Sequence, residues 1–283
     1  MSSDSLSYKV VQWSWQSNKN PWNVFEKKQW TRYPDLEQRL IEEEHKQKQH
    51  SHVDLGQYII DFKQKIQFRR DDSHKQRRVK RDEVYLGPCI KVEAKLHGKE
   101  AEGQYIIKHL EHVKAGSGKE ITQCCARMFT VDAFLFTAVN DALRHGTHEN
   151  KIDTLGPFCY LLHAHLRNSQ VEGVITVYRG ANLAKGAIDR YREAIGTNLR
   201  WLSLISTTKS RCLVERLNHS TLFIIEINGE SLSHHASDVS SLSFYPYEEE
   251  VLLSAGFTFK VTKVELDEKN DKHLVHLSSL FGV

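Results

Sequence analysis

Three consecutive glutamates, Glu248, Glu249 and Glu250, stand directly before an apolar run at residues 251–253. If they begin a strand, Glu248 and Glu250 point to one face, about 7 Å apart, and Glu249 points to the other. Two carboxylates at this spacing suit cleavage of a bond to the anomeric carbon of a sugar, because one stabilises an oxocarbenium-like charge while the other handles a proton. The alternative is a solvated cluster of charges at a strand end.

Two further polar residues stand at the ends of predicted strands. Arg179 follows the apolar run VITVY and precedes Gly180, so its guanidinium would emerge from a strand end. Ser206 follows WLSLI and opens a Ser-Thr-Thr run. Each has an ordinary explanation, as a surface arginine or as a normal strand end. With the glutamates, they form an ordered set of an arginine, a serine and a Glu-x-Glu pair.

This ordered set resembles that of the clostridial-toxin-like and vertebrate arginine-specific mono-ADP-ribosyltransferases. Arg179 lies 27 residues before Ser206, the segment FTVDAFLFTAVNDALR is similar to the helix before that family's core, and EEEVLL is similar to its catalytic strand. The resemblance covers residues 90–283. It implies that NAD is the substrate, that no metal is needed and that the acceptor is an arginine-bearing protein.

The same resemblance implies a role for each member of the set. Arg179 holds the diphosphate and nicotinamide ribose of NAD, and Ser206 orients the dinucleotide and the catalytic glutamate. Glu250 binds the ribose 2′-hydroxyl and stabilises the oxocarbenium ion as nicotinamide leaves. Glu248 contacts the acceptor arginine and makes its guanidinium a better nucleophile. The implied NAD contacts are Arg179, Gly180, Ser206, Thr207, Phe223 and Glu250.

The order of helical and strand patterns predicts the fold of this part of the chain. Helical patterns at 121–146 and 155–168 precede strand patterns that begin after Gln170, which is typical of an α+β fold. The resemblance adds that the N-terminal helices are followed by a split mixed β core. A GxGxxG fingerprint is absent, which argues against a Rossmann dehydrogenase. Poly(ADP-ribose) polymerases carry His and Tyr where this chain has Arg179 and Ser206, so chain elongation is disfavoured.

The first 84 residues differ from the rest in charge and in aromatic content. They carry 17 Lys and Arg against 13 Asp and Glu, whereas residues 85–283 carry 22 against 23. Four of the five tryptophans lie within the first thirty residues. A helical pattern at 33–49, with Leu36, Leu40 and Ile41 inward, is followed by alternating segments that predict strands. We therefore expect a small helix-on-sheet domain over 1–84 and a second domain over 85–283.

The first domain resembles the WWE domain over almost its full length. The matching features are W-x-W at 13–15, W-x-x-Y at 30–33 and the segment IQFRRDDSHKQRRVKRD. The resemblance implies binding of ADP-ribose or poly(ADP-ribose), with rings for adenine and arginine for the pyrophosphate. The implied pocket residues are Trp15, Trp30, Tyr58, Gln67 and Arg77. The alternative is that the tryptophans form a core and that the run from Lys63 to Arg81 is a solvated edge, an import signal or a nucleic-acid patch.

Several other classes of protein are disfavoured by the sequence. The first residues lack the charged and apolar regions of a secretory signal, and no stretch approaches the roughly 18 apolar residues of a membrane span. Five cysteines without a CxxC motif, and the histidine pairs 163/165 and 234/235, give no recognisable metal or disulfide pattern. We expect a soluble intracellular protein, cytoplasmic or nuclear or both, and no metal.

The leading hypothesis is an enzyme that moves ADP-ribose from NAD to arginine side chains of proteins. Its N-terminal module would bring it to ADP-ribosylated or poly(ADP-ribosyl)ated partners. Nucleic acid and membranes are not expected as partners. Two alternatives stay open, namely an inert transferase fold that acts only as an ADP-ribose reader, and an NAD glycohydrolase that uses water as acceptor.

Overall fold

A computed structural model describes residues 9–23, 25–47, 50–113, 118–131, 134–146, 151–228 and 236–280. Within these residues the chain divides into two compact units, one over Lys9–Leu86 and the other from Gly87 onward. The boundary expected from the sequence follows residue 84. No helix in the described part of the chain is both long and apolar enough to cross a membrane.

The first unit is a six-stranded sheet with one helix packed against it. The sheet has the order β2-β1-β6-β5-β4-β3, and every neighbouring pair is antiparallel. The elements are β1 (Lys9–Gln16), β2 (Trp30–Arg32), α1 (Asp35–Lys46), β3 (His52–Asp54), β4 (Tyr58–Asp61), β5 (Ile66–Arg69) and β6 (Gln76–Tyr85). The predicted helix-on-sheet arrangement is therefore present.

Helix α1 packs through a different face from the one expected. Leu36 is 73% exposed and Leu40 is 38% exposed, whereas Ile41 is fully buried. The buried polar residue is Gln38, whose side chain accepts from the amide of Trp13 at 2.7 Å and donates to the carbonyl of Trp13 at 2.8 Å. The helix meets β1 through these amide bonds, so the predicted leucine stripe is wrong. Residues 48 and 49 of the predicted helix lie outside the described residues.

The second unit begins with helices. They are α2 (Leu86–Leu96), α3 (Glu100–His112), α4 (Gly118–Thr130), α5 (Phe134–His145) and α6 (Gly156–Arg167). Helices α4 and α5 replace the single helix expected over 121–146, since the backbone bends at Val131; residues 132 and 133 lie outside the described residues. Their inner faces supply large buried side chains that include Met128, Phe129 and Leu135.

The helices are followed by an eight-stranded mixed sheet. Its strands are β7 (Val174–Ala181), β8 (Asn198–Trp201), β9 (Ile205–Thr208), β10 (Thr221–Asn228), β11 (Ala236–Asp238), β12 (Glu250–Leu253), β13 (Phe257–Asp267) and β14 (Lys272–Ser279). Two short helices, α7 (Lys185–Glu193) and α8 (Arg211–Arg216), interrupt the series. The order is β11-β12-β9-β7-β10-β14-β13-β8, in which only β10 and β14 are parallel.

The sheet is split at the junction of β7 and β9. These two strands share a single residue pair, Tyr178 with Thr208, whereas β7 and β10 pair over eight residues. At such a split, backbone N–H and C=O groups lack their usual hydrogen-bond partners on the neighbouring strand. They can therefore bond to side chains or to a ligand. The predicted α+β fold, with helices before a split mixed β core, is confirmed.

Candidate functional sites

Three neighbouring strands carry the three predicted residues of the candidate active site. Arg179 lies near the end of β7, Ser206 lies in β9, and Glu250 is the first residue of β12. Strand β12 pairs with β9 so that Leu252 faces Ser206 and Glu250 faces Thr208. The site therefore forms at the split of the sheet, although Arg179 and Glu250 are 71 positions apart in the chain.

Ser206 bonds to both other residues of the set. Its hydroxyl donates to Oε1 of Glu250 at 2.6 Å. Its carbonyl oxygen accepts from Nη1 of Arg179 at 2.7 Å. One residue of β9 thus orients the guanidinium through its backbone and the carboxylate through its side chain. Bonds of this kind, with an ionised partner, are about twice as strong as neutral ones.

The carboxylate of Glu250 lies in a protected position. The residue is 6% exposed. Burial raises the pKa of Glu250, the nearby charge of Glu248 raises it further, and hydrogen bonds from Ser206 and Ser243 lower it in part. The net direction is upward from the ordinary value, because desolvation disfavours the charged form. A desolvated anion interacts strongly with any cation that forms beside it.

The guanidinium of Arg144 is near enough to that of Arg179 to affect its pKa. Burial lowers the pKa of Arg179, and the charge of Arg144 lowers it further. Arg179 has no carboxylate within 4.0 Å among the described residues. Arg144, on α5, donates from Nε to the hydroxyl of Ser203 at 3.3 Å. Two neighbouring cations, one without a counter-charge, make this part of the cleft suitable for a diphosphate.

Helix α5 also holds the segment that leads into β9. Asn140 is fully buried, and its Oδ1 accepts from the amide of Leu204 at 3.0 Å. Asn140 and Arg144 are four residues apart and share one face of the helix. Sequence analysis missed both residues. The available signal was a polar residue, Asn140, within an otherwise apolar helical pattern, with the basic Arg144 one turn later.

The backbone at the three glutamates differs from the predicted strand. Glu248 ends a 3-10 turn (Pro246–Glu248), Glu249 is left-handed with φ 47° and ψ 48°, and the strand begins only at Glu250. The argument from strand alternation was therefore wrong, because the chain turns between the two carboxylates. They nevertheless lie close enough for the charge of Glu248 to raise the pKa of Glu250.

Thr208 holds this turn against β9. Its hydroxyl donates to the carbonyl oxygen of Glu248, and the amide of Lys209 donates to the carbonyl of Glu249 at 3.2 Å. The side chain of Glu248 is partly exposed, and burial raises its pKa. Beside it, Tyr247 is 68% exposed. Glu248 is thus more accessible than the buried Glu250, and its contact with an acceptor stays a prediction.

Two residues with predicted NAD contacts, Thr207 and Phe223, are buried. Thr207 is 5% exposed, and its hydroxyl donates to the carbonyl of Val251 at 2.6 Å, because it lies on the face of β9 opposite Ser206. Phe223 is 3% exposed, with its ring edge-on to Tyr191 and to Trp201 at 5.4 Å. Phe223 is paired with Arg179 across β10 and β7, which puts these two side chains on one face of the sheet. The contacts of Thr207 and Phe223 with NAD stay predictions.

Gly180 has a packing requirement of its own. A Cβ at this position would lie 2.1 Å from Cδ2 of His219, so a side chain there would displace the histidine ring. Gly180 follows Arg179 directly, and a displaced ring would disturb the end of β7. Its predicted contact with NAD, through the backbone, stays a prediction.

A cleft of about 330 Å³ in the first unit gathers three of the five predicted pocket residues, Tyr58, Gln67 and Arg77. Gln67 is buried, and its Oε1 accepts from the hydroxyl of Tyr33 at 2.6 Å. This bond fixes the amide and leaves its N–H groups for a ligand. Besides Pro21 and Gln76, the remaining lining is aromatic or basic and consists of Trp22, Arg69, His74 and Lys75, which sequence analysis missed.

The other two predicted pocket residues lie outside this cleft. Trp15 supports Arg77, whose guanidinium lies 5.3 Å from the ring centroid and donates to the carbonyl oxygens of Gln16 and Asn18 at 3.0 and 2.6 Å. Trp30 lines a neighbouring cleft. Trp15 thus packs against Arg77, and its contact with ADP-ribose stays a prediction.

The described residues contain no group of three or more His, Cys, Asp or Glu that could hold a metal ion. His163 is exposed, and the imidazole of His165 bonds the hydroxyl of Ser169 at 3.1 Å. His234 and His235 lie outside the described residues. The five cysteines are all free.

Comparison with known proteins identifies both units. The family model of the WWE domain matches residues 11–81, and that of the ADP-ribosyltransferase exoenzyme matches residues 135–280. The fold and the site thus define an ADP-ribosyltransferase domain preceded by a WWE domain. The chain belongs to the ADP-ribosyltransferase exoenzyme family, and it transfers ADP-ribose with NAD as its substrate. No curated protein sequence matches it.

Three solved structures are similar to part of this chain. The type III effector XopAI of Xanthomonas axonopodis pv. citri is 15% identical with a TM-score of 0.50, over 69% of this chain and 87% of its own. The C3 exoenzyme of Clostridium limosum is 13% identical with a TM-score of 0.49, over 64% and 94%. The ADP-ribosyltransferase HopU1 of Pseudomonas syringae pv. Tomato is 19% identical with a TM-score of 0.48, over 62% and 83%.

Proposed function

We propose that residues 85–283 transfer ADP-ribose from NAD to the guanidino group of an arginine side chain, and that residues 1–84 recognise ADP-ribosylated partners. The observation that carries the enzymatic half is the bond from Ser206 to the buried carboxylate of Glu250, with Glu248 close beside it. A reader with no activity would not need a buried carboxylate at this position, since burying that charge costs stability.

The first step breaks the bond between C1′ of the ribose and the nicotinamide nitrogen. Arg179 and Arg144 bind the diphosphate, which fixes the ribose in the cleft. Nicotinamide leaves with the bonding electron pair, and positive charge develops over C1′ and the ring oxygen. The carboxylate of Glu250 stabilises that charge, and its hydrogen bond to Ser206 holds it in place.

The second step joins the acceptor to C1′. A guanidinium nitrogen attacks C1′ and loses one proton, which the carboxylate of Glu248 accepts before releasing it to solvent. Burial raises the pKa of Glu248, and a more basic carboxylate is the better proton acceptor. The products are ADP-ribosyl-arginine, nicotinamide and one proton. The exposed ring of Tyr247 offers a contact for the acceptor protein beside Glu248.

The recognition half rests on the cleft of Tyr58, Gln67 and Arg77. A tyrosine ring offers a stacking surface for adenine, the Gln67 amide offers N–H groups to its edge, and Arg77 offers a charged donor to a diphosphate. Poly(ADP-ribose) presents all three groups in every unit. Free cysteines are typical of a reducing compartment, and the proposal places the protein inside the cell.

The test is an assay of the full chain with NAD in the presence and absence of agmatine, a small guanidine. Mass spectrometry detects ADP-ribosyl-agmatine, and chromatography measures nicotinamide. The proposal expects agmatine to be modified and to accelerate nicotinamide release. Release that agmatine does not change, with ADP-ribose as product, would mean an NAD glycohydrolase. Failure to consume NAD would mean an inert fold.

A further inference from the structure

Phe244 lies four residues before Glu248, in the segment that leads from β11 to β12. The guanidinium carbon of Arg127, on α4, lies 4.5 Å from the centroid of the Phe244 ring. The backbone amide of Phe244 donates to the hydroxyl of Thr130, also on α4, at 3.4 Å. Phe244 is thus attached to α4 through both its ring and its backbone. Nothing in the proposed function uses this helix.

Arg127 and Thr130 hold Phe244 as a pair. They are three residues apart and share one face of α4. The hydroxyl of Thr130 donates to the carbonyl of Arg127 at 2.8 Å, and its oxygen can still accept from Phe244. The cation of Arg127 is attracted to the face of the aromatic ring. The imidazole of His109, on α3, meets the same ring edge-on with the centroids 6.3 Å apart. Two helices therefore fix the ring.

The turn that ends in Glu248 is held at both of its ends. At the far end, the hydroxyl of Thr208 donates to the carbonyl oxygen of Glu248. At the near end, Phe244 is attached to α4. Between these two points, the amide of Glu248 donates to the carbonyl of Tyr245 at 2.9 Å within the 3-10 turn. So short a segment between two fixed points has few conformations, and releasing one end frees the backbone of Glu248.

The carboxylate of Glu248 has no anchor of its own. Within the part of the chain that the structure describes, its side chain makes no hydrogen bond or ion pair, and burial is the cause of its raised pKa. The carboxylate of Glu250, by contrast, accepts hydrogen bonds from Ser206 and Ser243. The position of the Glu248 carboxylate therefore depends on its backbone, and so on the attachment of Phe244 to α4.

We infer that Arg127 is a positioning residue for the acceptor step. Through the ring of Phe244, it holds Glu248 where that carboxylate can accept the proton of the attacking guanidinium. This inference rests on the proposed function, and Arg127 itself touches neither NAD nor the acceptor. Because water needs less activation by Glu248 than a guanidinium does, Arg127 sets how ADP-ribose is divided between arginine and water.

The test measures ADP-ribosyl-agmatine and ADP-ribose in one reaction of the full chain with NAD and agmatine. The ratio of the two products isolates the acceptor step, because a change in NAD binding or at Glu250 affects both products alike. Arg127→Gln should lower this ratio by about two- to fivefold, the factor that corresponds to one exposed cation–π contact, and should leave KM for NAD unchanged.

Two further variants separate the ring contact from a general loss of charge. Arg127→Lys keeps a cation beside the ring and should keep most of the product ratio. Lys119→Gln removes an exposed charge about two turns earlier on the same helix and should not change the ratio. Thermal melts of each variant exclude unfolding as the cause.

A double-mutant cycle tests whether Arg127 acts through Phe244. Phe244→Leu keeps an apolar side chain but removes the ring, so it should lower the ratio, and Arg127→Gln should then have no further effect. An undiminished effect of Arg127→Gln in the Phe244→Leu background would overturn the inference. A ratio that Arg127→Gln leaves unchanged, even if both products fall together, would overturn it as well.

Failure of the proposed function gives a different result from failure of this inference. If the unmodified chain forms no ADP-ribosyl-agmatine, the proposed acceptor and the role of Arg127 are both removed. If the unmodified chain modifies agmatine and Arg127→Gln does so in the same ratio, only the role of Arg127 is removed.

Discussion

The hydroxyl of Ser206 lies 2.6 Å from Oε1 of Glu250 and donates to it. This contact joins residues that are 44 positions apart in the chain, across β9 and β12, which also pair over four residues. The bond favours the ionised carboxylate, in opposition to burial, which favours the protonated one. The fraction of Glu250 that is ionised at a given pH therefore depends on its bond to Ser206.

Ser206→Ala should lower the rate of NAD cleavage and move its acid limb to higher pH. Removing the donor raises the pKa of Glu250 further, so a larger fraction of the enzyme is protonated at a given pH. We expect a fall in kcat/KM of about tenfold at neutral pH, for one hydrogen bond to a charged group. The measurement is a pH–rate profile. Ser241→Ala removes an exposed hydroxyl and should leave the profile unchanged.

Glu250→Gln should stabilise the fold while abolishing activity. The folded-state pKa of Glu250 is raised, so its contribution to stability is fully present below the unfolded pKa and is lost as pH rises through the folded pKa. At neutral pH the buried charge therefore costs free energy, which a neutral amide removes. We expect Tm to rise by roughly 2–4 °C, the shift that about 1 kcal/mol gives in a domain of this size.

The control for this melt is Glu249→Gln, which makes the same chemical change at the neighbouring exposed residue. Its Tm should stay within about 1 °C of that of the unmodified chain. A lower Tm for Glu250→Gln would contradict the assignment of Glu250 as a destabilising, functional charge. Scans at pH 5 should show a smaller difference between the two variants, because Glu250 itself becomes protonated on acidification.

Much of the candidate site follows from local sequence. Arg179, Ser206 and Glu250 each lie within or at the end of an apolar strand, and such strands can be recognised from their own residues. That these strands are neighbours came only from the resemblance to a family, because strand pairing depends on contacts far apart in the chain. Their hydrogen bonds through Ser206 required coordinates.

Other features could not be predicted from local patterns. The run of glutamates predicts a strand, but Glu249 has a left-handed backbone conformation. A non-glycine residue rarely adopts this conformation. Hydrogen bonds from Thr208 and Lys209 to the neighbouring carbonyl groups support it here. The spacing of Leu36 and Leu40 predicts a buried stripe, yet both leucines are exposed. Helix α1 instead turns Gln38 toward β1, where its side-chain amide hydrogen-bonds the backbone of Trp13. In each case, long-range hydrogen bonds outweigh the local preference.

Arg144→Gln should raise KM for NAD by about tenfold with a smaller effect on kcat, because the diphosphate binds equally before and during bond cleavage. Steady-state kinetics with NAD as the varied substrate measures the two constants. Arg190→Gln, on the exposed face of α7, is the matched control and should change neither. A large fall in kcat with unchanged KM for Arg144→Gln would mean that the residue acts on the reacting atoms instead.

Tyr33→Phe should weaken ADP-ribose binding by the first unit by several-fold while the fold persists. The ring keeps its buried place, and only the hydroxyl that fixes Gln67 is lost. The amide of Gln67 is then free to rotate and must be ordered when the ligand binds. The binding free energy becomes weaker by roughly 1 kcal/mol. Titration calorimetry of the full chain measures the affinity. Tyr85→Phe makes the same change at an exposed ring and should have no effect; equal affinity in both variants would remove Gln67 as a ligand group.

The most direct measurement of the central claim follows nicotinamide and ADP-ribosyl-agmatine in one reaction for the unmodified chain, Glu248→Gln and Glu250→Gln. In Glu250→Gln the rate of formation of both products should fall by several hundredfold. The neutral amide cannot stabilise the oxocarbenium-like cation, a stabilisation that is typically a few kcal/mol. Glu248→Gln should lose ADP-ribosyl-agmatine while nicotinamide release survives in part, because water needs less activation than a guanidinium. Equal loss of both products in Glu248→Gln, or activity retained in Glu250→Gln, would contradict the account.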